Sequence, residues 1–409
     1  MRAILRFMMI VLLTFVTILP VRSEIPVNDR IAVDGQIRLR YELDGTSFSP
    51  DAGAFDFTTA RTLLGFRLRA NQALMIRAQF GEARILGTTG SNSPSSASVS
   101  LQQIYFDLKP YLPVALQLRM GRFAVRYGNN RILGAGDWSL YGPRTYDGFR
   151  LRWLGRAMEW DLFHFITVER SSWVAPSTND PFDEQDRRLM GVAGKINALQ
   201  SLFVVEWDGA HSPGTAEPDL VVTPAISYSQ THDRVKVSMD AAYQFGRRNN
   251  LDLSAWLFAG KGSYQLPTAW KPTIGGGVDM TSGNGRTTPD TEDHVFYAPF
   301  MSRHAYRGFM DYFADVPNGL VDYIGMVSVT PRAGMSVGVD YHYFTYMEEA
   351  AIGAGFFTNL GSEVDVRILS EIVPGLSLDA AFCMFFPTES YQPAGSATHL
   401  FYLAMVARF

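Results

Sequence analysis

The chain of 409 residues has a single cysteine, Cys383. That excludes an internal disulfide framework and a cysteine-based metal cluster. Surplus positive charge is missing as well: the formal net charge is −4, which leaves no footprint for nucleic acid. Long apolar runs are absent. The run at residues 7–19 has 13 residues, short of the roughly 20 that cross a bilayer as a helix. Lysine is scarce, 5 residues against 31 arginines. Arginine is less strongly hydrated than lysine and grips carboxylates bidentately. A GC-rich genome produces the same ratio, so the positions of the arginines have to decide their meaning.

Arg2 and Arg6 precede the 7–19 run, and Val21-Arg22-Ser23 follows it. This is the pattern of a secretory signal peptide, with cleavage expected after residue 23; an N-terminal membrane anchor is the alternative. Loss of Arg2, Arg6 and Arg22 takes the charge from −4 to −7. Residues 24–409 then form one domain, with no linker or composition break inside it.

Alternation is what the chain does have. In 31–43, Ile37, Leu39, Tyr41 and Leu43 share one face, opposite Gln36, Arg38, Arg40 and Glu42. Successive side chains of a strand point to opposite faces, so this is a strand with one greasy and one charged side. The pattern returns at 59–70, where Arg67 and Arg69 are on the polar face, and at 74–80, where Arg77 is. It continues through 103–108 and the two strands at the ends of residues 117–153, which carry Arg119, Arg150 and Arg152. Further strands are expected at 157–168, 188–197, 201–207, 220–231, 235–245, 251–261 and 270–281. The last five fall at 320–330, 335–346, 361–372, 376–387 and 399–409. In the strand that begins at Gln117, a β-bulge at Gly121 is expected, because it would keep Arg119, Arg122 and Arg126 together on the polar face. Strand 157–168 is the least regular, with Phe163 and Phe165 on the face of Glu159 and Asp161.

Counted this way there are 18 strands, joined by short turns and longer loops in near alternation. Such a count and rhythm fit a transmembrane antiparallel β-barrel with short periplasmic turns and both termini in the periplasm. Closure removes every sheet edge and satisfies the backbone, as lipid requires. The expected class is therefore all-β: a single outer-membrane barrel of about 18 strands behind a signal peptide. The aromatic content of 13% fits interfacial girdles. The strand 399–409 places Phe401, Leu403, Met405, Ala407 and Phe409 on one face. It resembles the assembly signal of Gram-negative outer-membrane proteins, which makes the assembly machinery an expected partner.

Gly121-Arg122, Gly128, Arg131, Gly134, Asp137-Trp138, Arg144, Asp147-Gly148 and Arg150 resemble the alginate export family of outer-membrane barrels. So do the stretch 300–313, with His304, Tyr306, Gly308 and Asp311, and the stretch 361–366 with the strand after it. The likeness covers most of 35–409. It implies an 18-stranded barrel whose arginine-rich constriction passes an anionic polysaccharide from periplasm to exterior, and periplasmic export partners.

The residues themselves point the same way. An arginine facing lipid costs ~2–4 kcal/mol at the midplane, so Arg38, Arg40, Arg67, Arg69, Arg77, Arg119, Arg122, Arg126, Arg150 and Arg152 are expected in the lumen, as an anion-selective lining. Glu363, Asp365 and Arg367 are expected there too, on an acidic stretch of wall late in the chain. The alternative for the arginines is pairing with acids such as Asp107, Asp240 and Asp340. Loop candidates are Arg131, Asp137, Trp138, Arg144 and Asp147, and, in the long loop 282–318, His304 and Asp311. That loop either folds inward to narrow the pore or is simply packed. Trp138 either stacks on a sugar ring or anchors its loop. Two channel functions remain, export of an anionic polysaccharide, or a general or anion-selective porin for small solutes such as sugar acids. A barrel enzyme needs a nucleophile and base near its lipid face; His164 has no legible serine partner, and no cofactor or metal is called for. A siderophore-type receptor lacks its plug domain here.

Overall fold

The computed structural model describes residues 24–49, 53–87, 99–109, 115–168, 186–209, 218–313, 316–352, 355–393 and 395–409. The expected signal peptide lies outside the described residues. Eighteen barrel strands follow in order: β1 Ile31–Gly45, β2 Phe55–Arg69, β3 Leu74–Ile85, β4 Ser100–Leu108, β5 Leu116–Phe123 and β6 Tyr146–Leu154. Next come β7 Met158–Val168, β8 Arg187–Ile196, β9 Leu199–Asp208, β10 Asp219–His232, β11 Val235–Arg248 and β12 Leu251–Gln265. The last are β13 Thr273–Thr281, β14 Leu320–Arg332, β15 Met335–Ile352, β16 Gly355–Val373, β17 Leu376–Pro387 and β18 Thr398–Arg408. Two short pieces, Ile25–Pro26 and Glu292–Asp293, pair at the margins.

Each barrel strand pairs antiparallel with the next, and β1 pairs with β18 from Gln36↔Arg408 to Gly45↔His399, so the sheet closes. The faces are inverted relative to a water-soluble sheet. On β1, Leu39 is 47% exposed while Arg40 beside it is 5% exposed. Outward-facing Trp153, Trp160 and Tyr264 lie toward the turn end, and Phe245, Phe356 and Phe386 toward the loop end, as interfacial girdles do.

Two sequence expectations change. The loop expected at 347–358 is largely paired strand: β15 and β16 run on together, with Ala350 opposite Phe357. The alternation fades there because neither face is sorted by lipid, while backbone pairing continues. The second concerns Gly121. Strand β5 pairs with β4 and β6 without a register shift, Gly121 lying opposite Tyr105 and Gly148. No bulge forms, so the phase is kept. Phe123 turns into the lumen with Arg119, and Arg122 turns outward with Met120.

The lumen is therefore partly filled by apolar side chains. Phe123, Val125, Tyr127 and Leu133 pack with Tyr146, Phe163, Phe165 and Leu189 in one buried cluster. This explains the irregular strand β7: its two phenylalanines are core residues of the barrel interior, and Asp161 on the same face pairs with arginines. A second cluster joins Met310 and Phe313 of the long loop to Phe344, Leu360, Phe385 and Tyr402 of the wall. Residues 296–313 of the long loop thus lie inside the barrel.

Candidate functional site

Two inner segments cross the lumen, 124–145 between β5 and β6, and 293–313 between β13 and β14. They are bonded to each other through Gly134 N to Phe300 O at 2.9 Å and Ser302 N to Asn130 O at 3.1 Å. The walls they touch carry opposite charge.

The basic wall is β1 to β6. Arg38 donates to the carbonyls of Asp137 at 2.7 Å and Ser139 at 2.8 Å. Arg40 donates to Glu42 at 2.7 Å and to the Trp138 carbonyl at 2.8 Å. Arg61, which is 1% exposed, binds the Asp137 carboxylate at 2.6 Å. Lower on the wall, Arg77 grips Asp34 at 2.6 and 2.8 Å, and Arg119 grips Asp107 with two bonds of 2.7 Å. Arg152 grips Asp161 at 2.7 and 2.8 Å, with Arg150 3.8 Å from the same carboxylate. Arg67 pairs with Glu24, and Arg69 is exposed at the turn end of β2. Arg126, beyond the end of β5, donates to the Ala135 carbonyl at 3.3 Å.

Arg122 is not in the lumen. It holds Asp147 with bonds of 2.7 and 2.6 Å, and the pair is on the outward face in register with Ile104 and Ile166. Its place near the loop end of the short strand β5 makes this tolerable, since the cost of an outward arginine falls to ~0–1 kcal/mol near the interface.

The acidic wall is β13 to β16, where Asp279, Asp322, Glu363 and Asp365 are all 2% exposed or less. Glu363 and Asp365 receive the inner segment through backbone donors: Met310 N to Glu363 at 3.0 Å and Phe309 N to Asp365 at 3.3 Å. They do not pair with Arg38 or Arg40; β17 and β18 stand between. His342 binds Asp322 at 2.9 Å. Arg131 reaches this wall from the other segment, bonding Asp240 at 3.0 Å and Asp279 at 2.5 Å, and its guanidinium lies 3.8 Å over the Tyr306 ring. Burial opposes the Arg131 charge, but the Asp279 and Asp240 carboxylates beside it raise its pKa. Burial also pushes the Tyr306 hydroxyl up to about 12, so it stays protonated and donates to the Asn129 carbonyl.

Between the walls runs a column of stacked groups. Arg40 lies 4.1 Å over one face of Trp138, and His304 stacks on the other at 3.6 Å and 8°. Phe309 stacks on His304 at 5.0 Å, and Arg367, paired with Asp379 at 2.6 Å, lies 5.2 Å over Phe309. Asp311 accepts from or shares a proton with His304 Nδ1 at 3.0 Å. Both faces of Trp138 are occupied.

Beside this column lies a cavity of about 1060 Å³, bounded by 134–145, 301–311 and β1, β4, β15, β16, β17 and β18. Three of its cations hydrogen-bond only neutral oxygens: Arg38 as above, Arg144 to the Pro299 carbonyl at 2.7 Å, and Arg408 to the Ser377 hydroxyl at 3.4 Å. A separate loop-end cavity of about 490 Å³ has the opposite balance. Its Arg187 and Arg248 face Glu206, Asp208, Asp219 and Asp293.

Sequence reading missed Arg61 and Arg408, although each shares the parity of its strand's inward face. It also missed Asp279, Asp322 and His342, which are single polar residues in otherwise apolar runs. Among the described residues, no group of three or more His, Cys, Asp or Glu side chains is arranged to hold a metal ion. His164 faces outward and stacks on Phe149 at 5.8 Å.

Comparison with known proteins agrees with the fold. The alginate export family model matches residues 29–400. No curated protein sequence matches the chain. Among solved structures, OccK11 (OpdR) of Pseudomonas aeruginosa superposes with a TM-score of 0.61 at 12% identity, covering 93% of this chain and 96% of that one. OccAB4 of Acinetobacter baumannii gives 0.61 at 12% identity over 94% and 100%. The outer membrane protein OprD of P. aeruginosa gives 0.60 at 11% identity over 93% of each.

Proposed function

The chain belongs to the alginate export family, and on that premise we propose that this outer-membrane channel passes an anionic polysaccharide along its arginine-bearing cavity. The observation that carries the reading is the set Arg38, Arg144 and Arg408. Most lumen arginines are spent on carboxylates and hold the wall and loops in place. These three line one cavity and meet only neutral oxygens. A guanidinium so placed keeps its charge for a passing carboxylate, which it meets with matched fork geometry. Arg408 is at the turn end of β18, Arg38 is midway along the adjacent β1, and Arg144 is in the inner segment just before the loop end of β6, so the three mark a route from one end toward the other.

In this reading Trp138 anchors the inner segment, because Arg40 and His304 cover both its faces. Residues 1–23 direct export and are cleaved, and the turn end faces the periplasm. A channel for small sugar acids would use the same cations; the family favours the polymer.

The test is reversal potential and conductance in planar bilayers, comparing the protein with an Arg38→Ala, Arg144→Ala, Arg408→Ala triple variant. Anion selectivity that falls in the variant, with current block by a polyuronate in the parent, is the expected result. Cation selectivity, or selectivity unchanged by the triple substitution, overturns the assignment.

A further inference from the structure

The inner segment divides the lumen unequally. Below Phe309, toward the turn end of β11 to β16, is a second recess of about 350 Å³. It lies within the size range of small-molecule sites, roughly 300–1,000 Å³. Five strands contribute hydroxyls to it: Ser238, Ser263, Thr273, Ser328 and Ser336. Gly275 and Gly338 keep its wall low. Phe309, Asp340 and Arg367 line both this recess and the larger cavity, which meet there.

Three charged groups that line this recess, Lys236 of β11, Lys261 of β12 and Asp340 of β15, have no hydrogen bond or ion pair among the described residues. Lys236 is exposed, whereas Lys261 and Asp340 are half-buried. Their rows are adjacent across the sheet: Lys261 lies opposite Gly277, while Asp340 lies opposite Met326, which faces Gly275. On the same strands Asp279 is bonded by Arg131, Asp322 by His342 and Arg367 by Asp379. A partly buried ammonium and a partly buried carboxylate without partners both gain from a ligand that completes them. Lys261 calls for an anionic oxygen. Asp340 calls for hydroxyl donors, and the ring of serine and threonine hydroxyls serves a ligand that both donates and accepts.

We propose that this recess is a binding site for one sugar-acid residue, a pyranose bearing a single carboxylate. The carboxylate sits on Lys261, two ring hydroxyls donate to Asp340, and the remaining hydroxyls exchange bonds with Ser238, Ser263 and Ser328. Phe309 and Arg367, stacked together, border the site above. The site lies on the turn side of the arginine cavity, so under the channel reading it engages a residue before the polymer reaches Arg38. The inference rests on that reading for direction only; occupancy of the recess is a separate property.

The experiment is current block in planar bilayers, with glucuronate, glucose or acetate added to the turn side. Glucuronate carries charge and hydroxyls, acetate the charge alone, and glucose the hydroxyls alone. Glucuronate is expected to half-block at a concentration at least tenfold below either of the others. Lys261→Met is expected to raise that concentration about tenfold, and Asp340→Asn severalfold. Gly338→Leu, where an added Cβ meets nothing closer than 3.5 Å, fills the recess without straining the wall and is expected to abolish the block. Equal block by acetate and glucuronate, or a glucuronate block unchanged in Lys261→Met and Gly338→Leu, overturns the site. No glucuronate block in a channel that is anion-selective also overturns it, and leaves the arginine route standing. Block that the variants abolish in a channel without anion selectivity supports the recess and removes the arginine route.

Discussion

The indole of Trp138 and the imidazole of His304 lie face to face, 3.6 Å between centroids and 8° from parallel. They belong to inner segments separated by most of the middle of the chain, and each is backed by a further group: Arg40 behind Trp138, Phe309 behind His304. The stack joins two loops and two walls in one contact line across the lumen.

Replacing its central plate should loosen all four attachments at once. An aromatic pair of this kind contributes ~0.5–1.5 kcal/mol beyond its buried area, and a cation over an indole ~0.5–2 kcal/mol. Trp138→Ala is expected to give a folded barrel with larger and noisier single-channel conductance, whereas Trp138→Phe keeps most of the parent behaviour. A Trp138→Ala channel as quiet as the parent would show that the stack restrains nothing.

Arg122 supplies an internal control. Its side chain and Asp147 face outward near the loop-end interface. Arg122→Ala is expected to leave reversal potential and polyuronate block unchanged, in contrast to the substitutions at Arg38, Arg144 and Arg408. A selectivity change in Arg122→Ala would contradict the outward placement.

Arg131 is the charge on which the inner segment 124–145 depends. It is 3% exposed and bonded to both Asp240 and Asp279. Its removal strands the buried Asp279 carboxylate and leaves Asp240 only its bonds from Asn129 and Ser227, a change that costs ~3–5 kcal/mol where a buried pair is broken. Arg131→Met is expected to lower the urea midpoint of barrel unfolding and to expose 124–145 to added protease. Arg131→Lys should recover part of the loss, since it keeps the charge without the fork.

Gly308 holds the other segment to the acidic wall. Its φ of 80° lies in the left-handed region, and a Cβ there would collide with the Glu363 carboxylate. A non-glycine residue in that region costs ~1–2 kcal/mol before the collision is counted. Gly308→Ala is expected to lift Phe309 and Met310 off Glu363 and Asp365. Cys383 is buried in the cluster that Met310 covers and is the one cysteine of the sequence, so maleimide labelling reports the change directly. Labelling of Cys383 should be slow in the parent and faster in Gly308→Ala.

The barrel was legible because lipid sorts side chains residue by residue: wherever a strand crosses, greasy and polar positions must alternate, and the 18 runs appear. On these strands Arg38 and Arg40 are 6% and 5% exposed, and Arg77 and Arg119 pair with Asp34 and Asp107. Alternation failed at Gly121, where the apolar run Phe123, Val125 and Tyr127 looked like lipid-facing surface. Those residues pack against Phe163 and Leu189 inside the barrel, and nothing local tells an apolar lumen from an apolar exterior. Partners were hidden for a different reason. Arg61 with Asp137, and Arg131 with Asp279, join residues 76 and 148 positions apart, and a spacing of that kind carries no period. The stretch 300–313 stood out by its resemblance, but its task of crossing the lumen required the walls to be in place.

The seam between β1 and β18 has a temporal meaning. Gln36 meets Arg408 there, and the Phe409 backbone exchanges hydrogen bonds of 2.9 and 3.1 Å with Gly35, whose missing side chain leaves room for the Phe409 ring. Contacts between residues this remote in sequence form late, because the intervening chain must be ordered first. The inner segments, once enclosed, have nowhere to go. They must therefore reach the lumen while the cylinder is still a curved, open sheet, and the zipping of this seam is the moment at which the assembling protein commits to its contents.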